Sequence, residues 1–237
     1  MPARWQRRAR PAILPVMRRP LLLVAAVLAS AIAAACAPAP SPLLVPEPAG
    51  LDQPAPDSFV VRFETTKGPF DVMVRRPWSP AGADRLHWLV ANGFYDGVHF
   101  FRVVPNFVVQ FGLPGDTAVS ARWRERRIPD DTVRATNGRG TVSFARGGPA
   151  TRTTQLFVNL RDNARLDALD GFGFPPVGEV VRGMEVVDSL HSGYGEGPPR
   201  GRGPSQDSIR VLGTEYLERG FPDLDRVTRA VIVEEWR

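Results

Sequence analysis

The sequence has few of the side chains that bind metals or form covalent intermediates. Its only cysteine, Cys36, can form neither an internal disulfide nor a multi-thiolate metal site. The three histidines, His87, His99 and His191, are too far apart along the chain to match a metal-binding spacing. No G-x-S-x-G nucleophile motif is present. We therefore expect a function that uses no metal and no cofactor.

Lysine is scarce too, and the excess of positive charge lies at one end of the chain. Lys67 is the only lysine among 30 basic residues, and the formal net charge is +5. Six of those 30 are arginines within residues 4–19, where no acidic residue occurs, which leaves 24 basic residues against 25 acidic ones elsewhere. The basic charge therefore belongs to the N-terminal leader, and we expect no nucleic-acid partner.

The leader has the pattern of an export signal. Its arginines precede a 15-residue apolar run, residues 21–35, which ends at Cys36. The run is shorter than the roughly 20 apolar residues of a typical membrane-spanning helix. Its end, "AIAAAC", resembles the lipobox of bacterial lipoproteins, in which the cysteine becomes lipidated. We expect residues 1–36 to be a signal peptide and Cys36 to carry a lipid anchor on the periplasmic or extracellular face of a bacterial membrane. Ordinary secretion and an uncleaved anchor are the alternatives.

Residues 37–57 are rich in proline and alanine and carry almost no charge. A segment of this composition favours extended polyproline conformations and does not form a core. We predict a linker that holds a folded domain away from the membrane.

From residue 58 onward, short apolar segments alternate with turn residues. This pattern predicts strands at residues 59–65, 70–74, on either side of Pro105–Asn106 within 100–112, and at 140–145, 155–160, 176–181 and 208–213. Helices are predicted at residues 80–92 and 183–190, and residues 113–137 are predicted to be a loop. Many short strands with two helices favour a mainly β fold, a closed antiparallel barrel.

Two segments near the C-terminus lie outside this pattern. The glycine-rich stretch "GYGEGPPRGRGP", residues 193–204, lacks the strand-to-helix context of a phosphate-binding loop, and we expect a flexible loop. Residues 214–237 are predicted to contain a short helix and a strand that pack on the barrel as a structural extension.

Two polar residues stand out in the apolar stretch "FFRVVPNFVVQFG", residues 100–112. Strand alternation places Arg102 on one face with Phe100 and Val104, and Gln110 on one face with Val108. Polar groups in such surroundings either reach water at the rim of the barrel or form a polar spot that binds a ligand.

Three blocks of this sequence resemble, in order and spacing, the signature blocks of the cyclophilins, a family of peptidyl-prolyl cis/trans isomerases. They are "FFRVVPNFVVQFG", "GTVSFARGGPATRTTQLFVNL" and "RLDALDGFGFPPVGEVVRGMEVVD". The resemblance covers residues 58–213. It implies an eight-stranded antiparallel barrel capped by two helices, acting as a monomer on proline-containing unfolded or folding polypeptides.

The chemistry of this family fits a chain without metals or nucleophiles. Rotation about an X-Pro bond has a barrier of about 18–20 kcal/mol, because the amide has partial double-bond character. No covalent bond breaks during this rotation. A protonated guanidinium can donate to the nitrogen lone pair of the twisted amide while an apolar pocket holds the proline ring.

The resemblance also implies roles for individual residues. Arg102 matches the catalytic arginine, and Gln110 matches the glutamine that binds the substrate carbonyl and orients that arginine. The proline pocket is matched by Phe107, Val108, Phe157 and Leu166, and the groove for the preceding residues by Ala145 and Gln155. Four of the matching positions depart from the common family residue, namely Val108, Arg146, Arg165 and Phe174.

Alternative interpretations remain for several of these residues. Phe107 and Phe157 could be ordinary core residues, and Gln155 could only cap a strand. The departures at Arg165 and Phe174 also allow a non-catalytic peptide-binding or chaperone module on the same fold. A third hypothesis is a surface lipoprotein scaffold that acts through residues 37–57 or the glycine-rich loop.

Overall fold

The computed structural model describes residues 41–46 and 48–237. The predictions for the signal peptide, for Cys36 and for residues 37–40 lie outside the described residues. None of the helices in this part of the chain combines the length and the apolar character needed to cross a membrane.

One antiparallel sheet of eight strands dominates the fold. In chain order the strands are β1 Ser58–Thr65, β2 Gly68–Arg75, β3 Arg102–Val104, β4 Val108–Phe111, β5 Thr141–Phe144, β6 Leu156–Asn159, β7 Pro176–Arg182 and β8 Val227–Trp236. Their order in the sheet is β3-β4-β6-β5-β7-β2-β1-β8. The predicted mainly β, antiparallel fold is confirmed.

The sheet is strongly curled, but it is not the closed barrel that we predicted. Its end strands, β3 and β8, do not pair with each other. The segment that precedes β3 instead contacts the residues around the start of β8: Gly97 N donates to Val227 O (2.9 Å), and Phe100 N donates to Asp225 O (2.9 Å). Because β3 is only three residues long and begins after this contact, no strand ladder closes the gap.

Five α-helices accompany the sheet in the described residues, where two were predicted before residue 214 and a short one after it. They are α1 Pro48–Leu51, α2 Pro80–Ala91, α3 Thr117–Arg124, α4 Met184–Asp188 and α5 Gln206–Gly220. The predictions of α2 and α4 are confirmed. The short helix α3 lies in the predicted loop, and its N-cap Asp116 accepts hydrogen bonds from Ala118 N (2.8 Å) and Val119 N (3.1 Å).

The predicted strand at residues 208–213 is wrong, because these residues belong to α5. This helix begins after Ser205, whose hydroxyl accepts from Ser208 N, and it has a non-helical residue at Gly213. It buries Ile209 and Leu217 while it leaves Val211 exposed. Val211 lies two residues from the buried Ile209, so its exposure does not fit the alternation of a half-buried strand, which a short apolar run alone could not reveal.

The C-terminal residues are part of the sheet. Strand β8 pairs with β1 along its whole length, from Thr65↔Val227 to Ser58↔Trp236. The expected strand after residue 214 is therefore present, but residues 221–226 form a turn, irregular backbone and an isolated bridge at Arg226 instead of a short helix.

The hydrophobic core lies between the inner face of the sheet and α2. Leu86 and Leu89 of α2 are fully buried there. Three aromatic rings pack at its centre, with the Phe63 ring centroid 5.1 Å from Phe70 and 5.5 Å from Phe111. Burial of this apolar surface is the main force that holds the curled sheet together.

The described part of the predicted linker packs onto the domain and is not extended. Leu43, Leu44 and Leu51 pack against the core. The Leu43 carbonyl oxygen accepts a hydrogen bond from Trp123 Nε1 (2.9 Å), and Ala55 N donates to Asp84 Oδ1 (2.8 Å). The leucines provide apolar surface that outweighs the extended preference of the prolines.

Candidate active site

Three of the predicted site residues lie on one rung of the sheet. Arg102 of β3 is paired with Gln110 of β4, and Gln110 is paired with Phe157 of β6. Their neighbours Val109 and Val158 belong to the inner core. Because side chains alternate between faces, the rung presents Arg102, Gln110 and Phe157 on the outer face. Phe100, which we expected on the same face as Arg102, lies before β3 and packs into the inner core.

A separate apolar cluster lies beside this rung. Val108, Phe157 and Leu166 are buried together, and Phe107, Ala145 and Phe174 pack around them. The rings of Phe157 and Phe174 meet edge to face, with centroids 5.5 Å apart. This cluster belongs to the outer face, so Phe107 and Phe157 are not part of the inner core.

The cluster forms the floor of an open cavity of about 520 Å³. Nine of the ten predicted catalytic and substrate-binding residues line it, namely Arg102, Phe107, Val108, Gln110, Ala145, Arg146, Phe157, Leu166 and Phe174. The tenth, Gln155, lines an adjoining cavity of about 350 Å³ that shares Gln110, Ala145 and Arg146 with the first. The structure therefore brings the sequence-predicted residues together around one apolar cavity.

A chain of polar side chains orients the guanidinium at the edge of the cavity. Arg102 Nη1 donates to Gln110 Oε1 (2.9 Å), and Gln110 Nε2 donates to Gln155 Oε1 (2.9 Å). The Arg102 Cζ atom lies 5.5 Å from the centroid of the Phe107 ring. These bonds fix the orientation of the Gln110 amide and leave its second N–H available.

A residue that sequence reasoning missed contacts the guanidinium from the other side. Glu196, in the glycine-rich loop, accepts from Arg102 Nε at Oε1 (2.7 Å) and from Nη2 at Oε2 (2.8 Å). Desolvation alone would raise the pKa of Glu196, but the hydrogen bonds and charge of Arg102, together with the Gly197 backbone N–H and the charge of Arg200, outweigh it and lower that pKa. The available signal was that Glu196 is the only acidic residue in residues 193–204.

Arg102 retains donors for a ligand. A guanidinium has five N–H groups, and the contacts with Gln110 and Glu196 occupy three of them. Within the part of the chain that the structure describes, one N–H on Nη1 and one on Nη2 have no hydrogen-bond partner. The side chain is 18% exposed, so these donors lie in a largely desolvated position.

A buried amide network supports the wall of the cavity formed by residues 163–174. Asn137 Nδ2 donates to Asp167 Oδ1 (2.8 Å) and to Phe174 O (2.8 Å). Asn163 Nδ2 donates to Phe107 O (3.0 Å). These bonds connect the loop that carries Leu166 and Phe174 with the turn that carries Phe107.

Two of the residues that depart from the family pattern also support this wall. Arg146 donates from Nε to Gly173 O (2.9 Å) and from Nη2 to Leu169 O (2.9 Å), and its Cζ atom lies 4.7 Å from the Phe174 ring centroid. Arg165 Cζ lies 5.1 Å from the Phe107 ring centroid. Both guanidiniums therefore pack against aromatic rings at the rim.

Comparison with known proteins agrees with this geometry. A family model described as cyclophilin type peptidyl-prolyl cis-trans isomerase/CLD matches residues 60–215. Peptidyl-prolyl cis-trans isomerase A of Dickeya dadantii is 34% identical over 143 residues, which cover 57% of this chain and 73% of the relative. A peptidyl-prolyl cis-trans isomerase of Acinetobacter baylyi is 32% identical over 134 residues, which cover 55% and 71% of the two chains.

Solved structures support the fold. A cyclophilin-type peptidyl-prolyl cis-trans isomerase of Cryptosporidium parvum superposes with a TM-score of 0.55 at 18% identity, over 75% of this chain and 99% of that one. The same Cryptosporidium protein, crystallised in the presence of the dipeptide Ala-Pro, gives a TM-score of 0.54. At this level of identity, the likeness shows the fold alone.

Proposed function

Because the chain belongs to the cyclophilin-type peptidyl-prolyl cis-trans isomerase family, it is an isomerase of X-Pro peptide bonds, and we propose that Arg102 stabilises the twisted bond. The observation that carries this assignment is the position of its guanidinium. It lies at the edge of an apolar cavity and keeps two N–H groups free of contacts with the described residues.

The apolar cluster provides the binding site for the proline ring of the substrate. Val108, Phe157 and Leu166 offer a buried surface of suitable polarity, and the edge-to-face contact of Phe157 with Phe174 limits movement of this surface. Apolar surroundings also exclude water, which strengthens any hydrogen bond made at the edge of the cavity.

Arg102 and Gln110 act on the amide itself. As the X-Pro bond twists, its nitrogen becomes pyramidal and gains a lone pair, which accepts a hydrogen bond from the always-protonated guanidinium. The free N–H of Gln110 is positioned to donate to a substrate carbonyl. Because the lone pair exists only in the twisted state, the hydrogen bond lowers the barrier without stabilising either planar isomer.

The setting of the protein is a further part of this proposal. The arginine-rich leader and the "AIAAAC" boundary support an exported enzyme that is lipid-anchored through Cys36 and acts on proline-containing unfolded or folding polypeptides. The wild-type protein is expected to incorporate a labelled fatty acid when it is expressed in bacteria, and replacement of Cys36 with serine should abolish this labelling. Unlabelled wild-type protein, or unchanged labelling of the variant, would contradict the anchor.

The role of Arg102 is tested with a matched pair of arginines. Arg75 also binds a glutamate, Glu179, but on the surface of the sheet and outside the cavity. We expect Arg102→Ala to lower kcat/KM by about 100-fold, as loss of a key transition-state donor does elsewhere. Arg75→Ala should leave kcat/KM unchanged. Isomerisation of an X-Pro peptide is measured by NMR exchange. If Arg102→Ala binds the peptide and isomerises it at the wild-type rate, the assignment is wrong.

A further inference from the structure

The glycine-rich loop, residues 193–204, brings a carboxylate to Arg102 from outside the sheet. We propose, on the basis of the function proposed above, that Glu196 is a positioning residue that holds the Arg102 guanidinium for catalysis. Its two oxygens bind Nε and Nη2 at 2.7 and 2.8 Å, a fork that fixes the plane of the guanidinium. Gln110 alone makes a single bond to Nη1, which leaves rotation of that plane possible.

The loop is built to hold Glu196 in this place. Gly203 N donates to the Glu196 carbonyl oxygen (2.9 Å), so the loop folds back on this residue. A Cβ atom at Gly201 would overlap that same oxygen, and therefore only glycine fits there. Tyr194 fixes the start of the loop, because its ring packs edge to face on Phe221 and its hydroxyl donates to Asp223 Oδ2 (3.0 Å). The loop that we predicted at these residues is present, and these contacts hold Glu196 beside Arg102.

The ion pair leaves the proline pocket open. Glu196 binds the guanidinium edge formed by Nε and Nη2, whereas the cavity floor consists of Val108, Phe157 and Leu166, which the loop does not cover. An inhibitory contact would occupy that floor or use all of the donors. One N–H on Nη1 and one on Nη2 remain without a partner among the described residues, which is the arrangement that a positioning role requires.

The benefit to catalysis is one of preorganisation. An arginine side chain has several rotatable bonds, and a donor acts on a transition state only when it is held in the correct geometry beforehand. Loss of Glu196 should therefore slow isomerisation and leave the binding of planar substrate nearly unchanged, because that binding depends on the apolar cluster.

The test compares Glu196 with Glu179, which forms the matched surface pair with Arg75. We expect Glu196→Ala to lower the NMR-measured isomerisation rate of the bound peptide by about tenfold, with the peptide Kd changed less than twofold. Glu196→Gln, which keeps one acceptor oxygen, should show an intermediate rate. Glu179→Ala and Glu179→Gln should match the wild type.

A direct readout comes from the guanidinium. The Arg102 Nε–H resonance is identified by its loss in Arg102→Lys, and it should shift in Glu196→Gln but not in Glu179→Gln. If Glu196 acts through Arg102, then Glu196→Ala should cause no further loss when residue 102 is already alanine.

Several outcomes would overturn the positioning role. One is a wild-type isomerisation rate in Glu196→Ala together with an unshifted Arg102 Nε–H resonance in Glu196→Gln. Another is a faster isomerisation rate in Glu196→Ala. A third is that Glu196→Ala lowers the rate by the same factor whether residue 102 is arginine or alanine. If Arg102→Ala is inactive while Glu196→Ala is fully active, only the positioning role fails. If Arg102→Ala is fully active, the proposed catalytic role of Arg102 fails with it. If Glu196→Ala does not fold, the test is decided by the nearly isosteric variant Glu196→Gln.

Discussion

The two halves of the site are held in place by different interactions. We call the residues that the strands carry, Arg102, Gln110 and Phe157, the sheet half; their positions follow from one rung of backbone pairing. We call Leu166, Phe174 and Glu196 the loop half. Buried side-chain amides, a carboxylate and tight glycine turns hold these residues.

This difference shows where the site can vary. A shift of one residue in strand register would move every side chain of the sheet half to the opposite face, so that half is fixed by the fold itself. The loop half depends on individual hydrogen bonds, each of which a single substitution can remove. We therefore expect substrate preference to change through the loops, while the catalytic rung stays constant.

The largest effect should follow from a substitution in the sheet half. Phe157→Ala removes a ring that is only 5% exposed from the floor of the cavity. We expect the peptide Kd to rise by about tenfold or more, and the free energy of unfolding to fall by about 3 kcal/mol. NMR titration and denaturant unfolding measure the two quantities. The control is Leu212→Ala, at an exposed position of α5. An unchanged peptide Kd for Phe157→Ala would show that the proline ring binds elsewhere.

The next effect concerns the amide network of the loop half. Asn137 is fully buried and binds Asp167 and the Phe174 carbonyl. Asn137→Ala leaves the Phe174 carbonyl without its donor and the Ser143 hydroxyl without its acceptor, and Asp167 keeps only the backbone N–H of residue 137. We therefore expect a loss of about 2 kcal/mol in the free energy of unfolding. Gln53→Ala, which removes an amide at an exposed position, is the control. Equal stability of the two variants would show that the loop half does not need the network.

Low pH should destabilise the loop half more than the sheet half. The pKa of Glu196 is lowered because the hydrogen bonds and charge of Arg102, with smaller contributions from the Gly197 N–H and Arg200, outweigh its desolvation. The contribution of ionised Glu196 to the stability of the loop is therefore complete above the ordinary glutamate pKa, and it is lost as the pH falls through the lowered pKa. We expect the amides of residues 193–204 to exchange faster with solvent at pH 3 than at pH 6, beyond the intrinsic change, while those of β4 and β6 stay protected. Glu196→Gln should remove this difference, and equal loosening of both halves would contradict it.

The smallest effect is expected at the edge of the sheet half. Gln155 accepts a single hydrogen bond from Gln110, and no direct contact joins it to Arg102. Gln155→Ala should lower kcat/KM by about fivefold, the equivalent of about 1 kcal/mol. A loss as large as that of Arg102→Ala would show that Gln155 has a role of its own in catalysis.

The sequence predicted the sheet half better than the loop half. Strand alternation and a family resemblance identified Arg102, Gln110 and Phe157 because the information lies within two short segments. Glu196 was missed, since it is 94 residues from Arg102 and its loop has no periodic pattern. The fold shows the same limit. Most strands were predicted, but whether the barrel closes depends on the length of β3. The helix α5 was missed because one of its buried residues, Leu217, lies beyond residues 208–213, the segment that suggested a strand.

The packing of residues 41–57 on the domain determines where the protein can be shortened. A truncated version that starts at the first strand, at Ser58, would lose Leu43 and leave the Trp123 Nε1–H without its acceptor. It would also uncover the neighbouring indoles of Trp88 and Trp123, whose centroids lie 5.0 Å apart. Newly exposed apolar surface of this kind promotes aggregation. Expression of a shorter soluble form should therefore begin at Ser41.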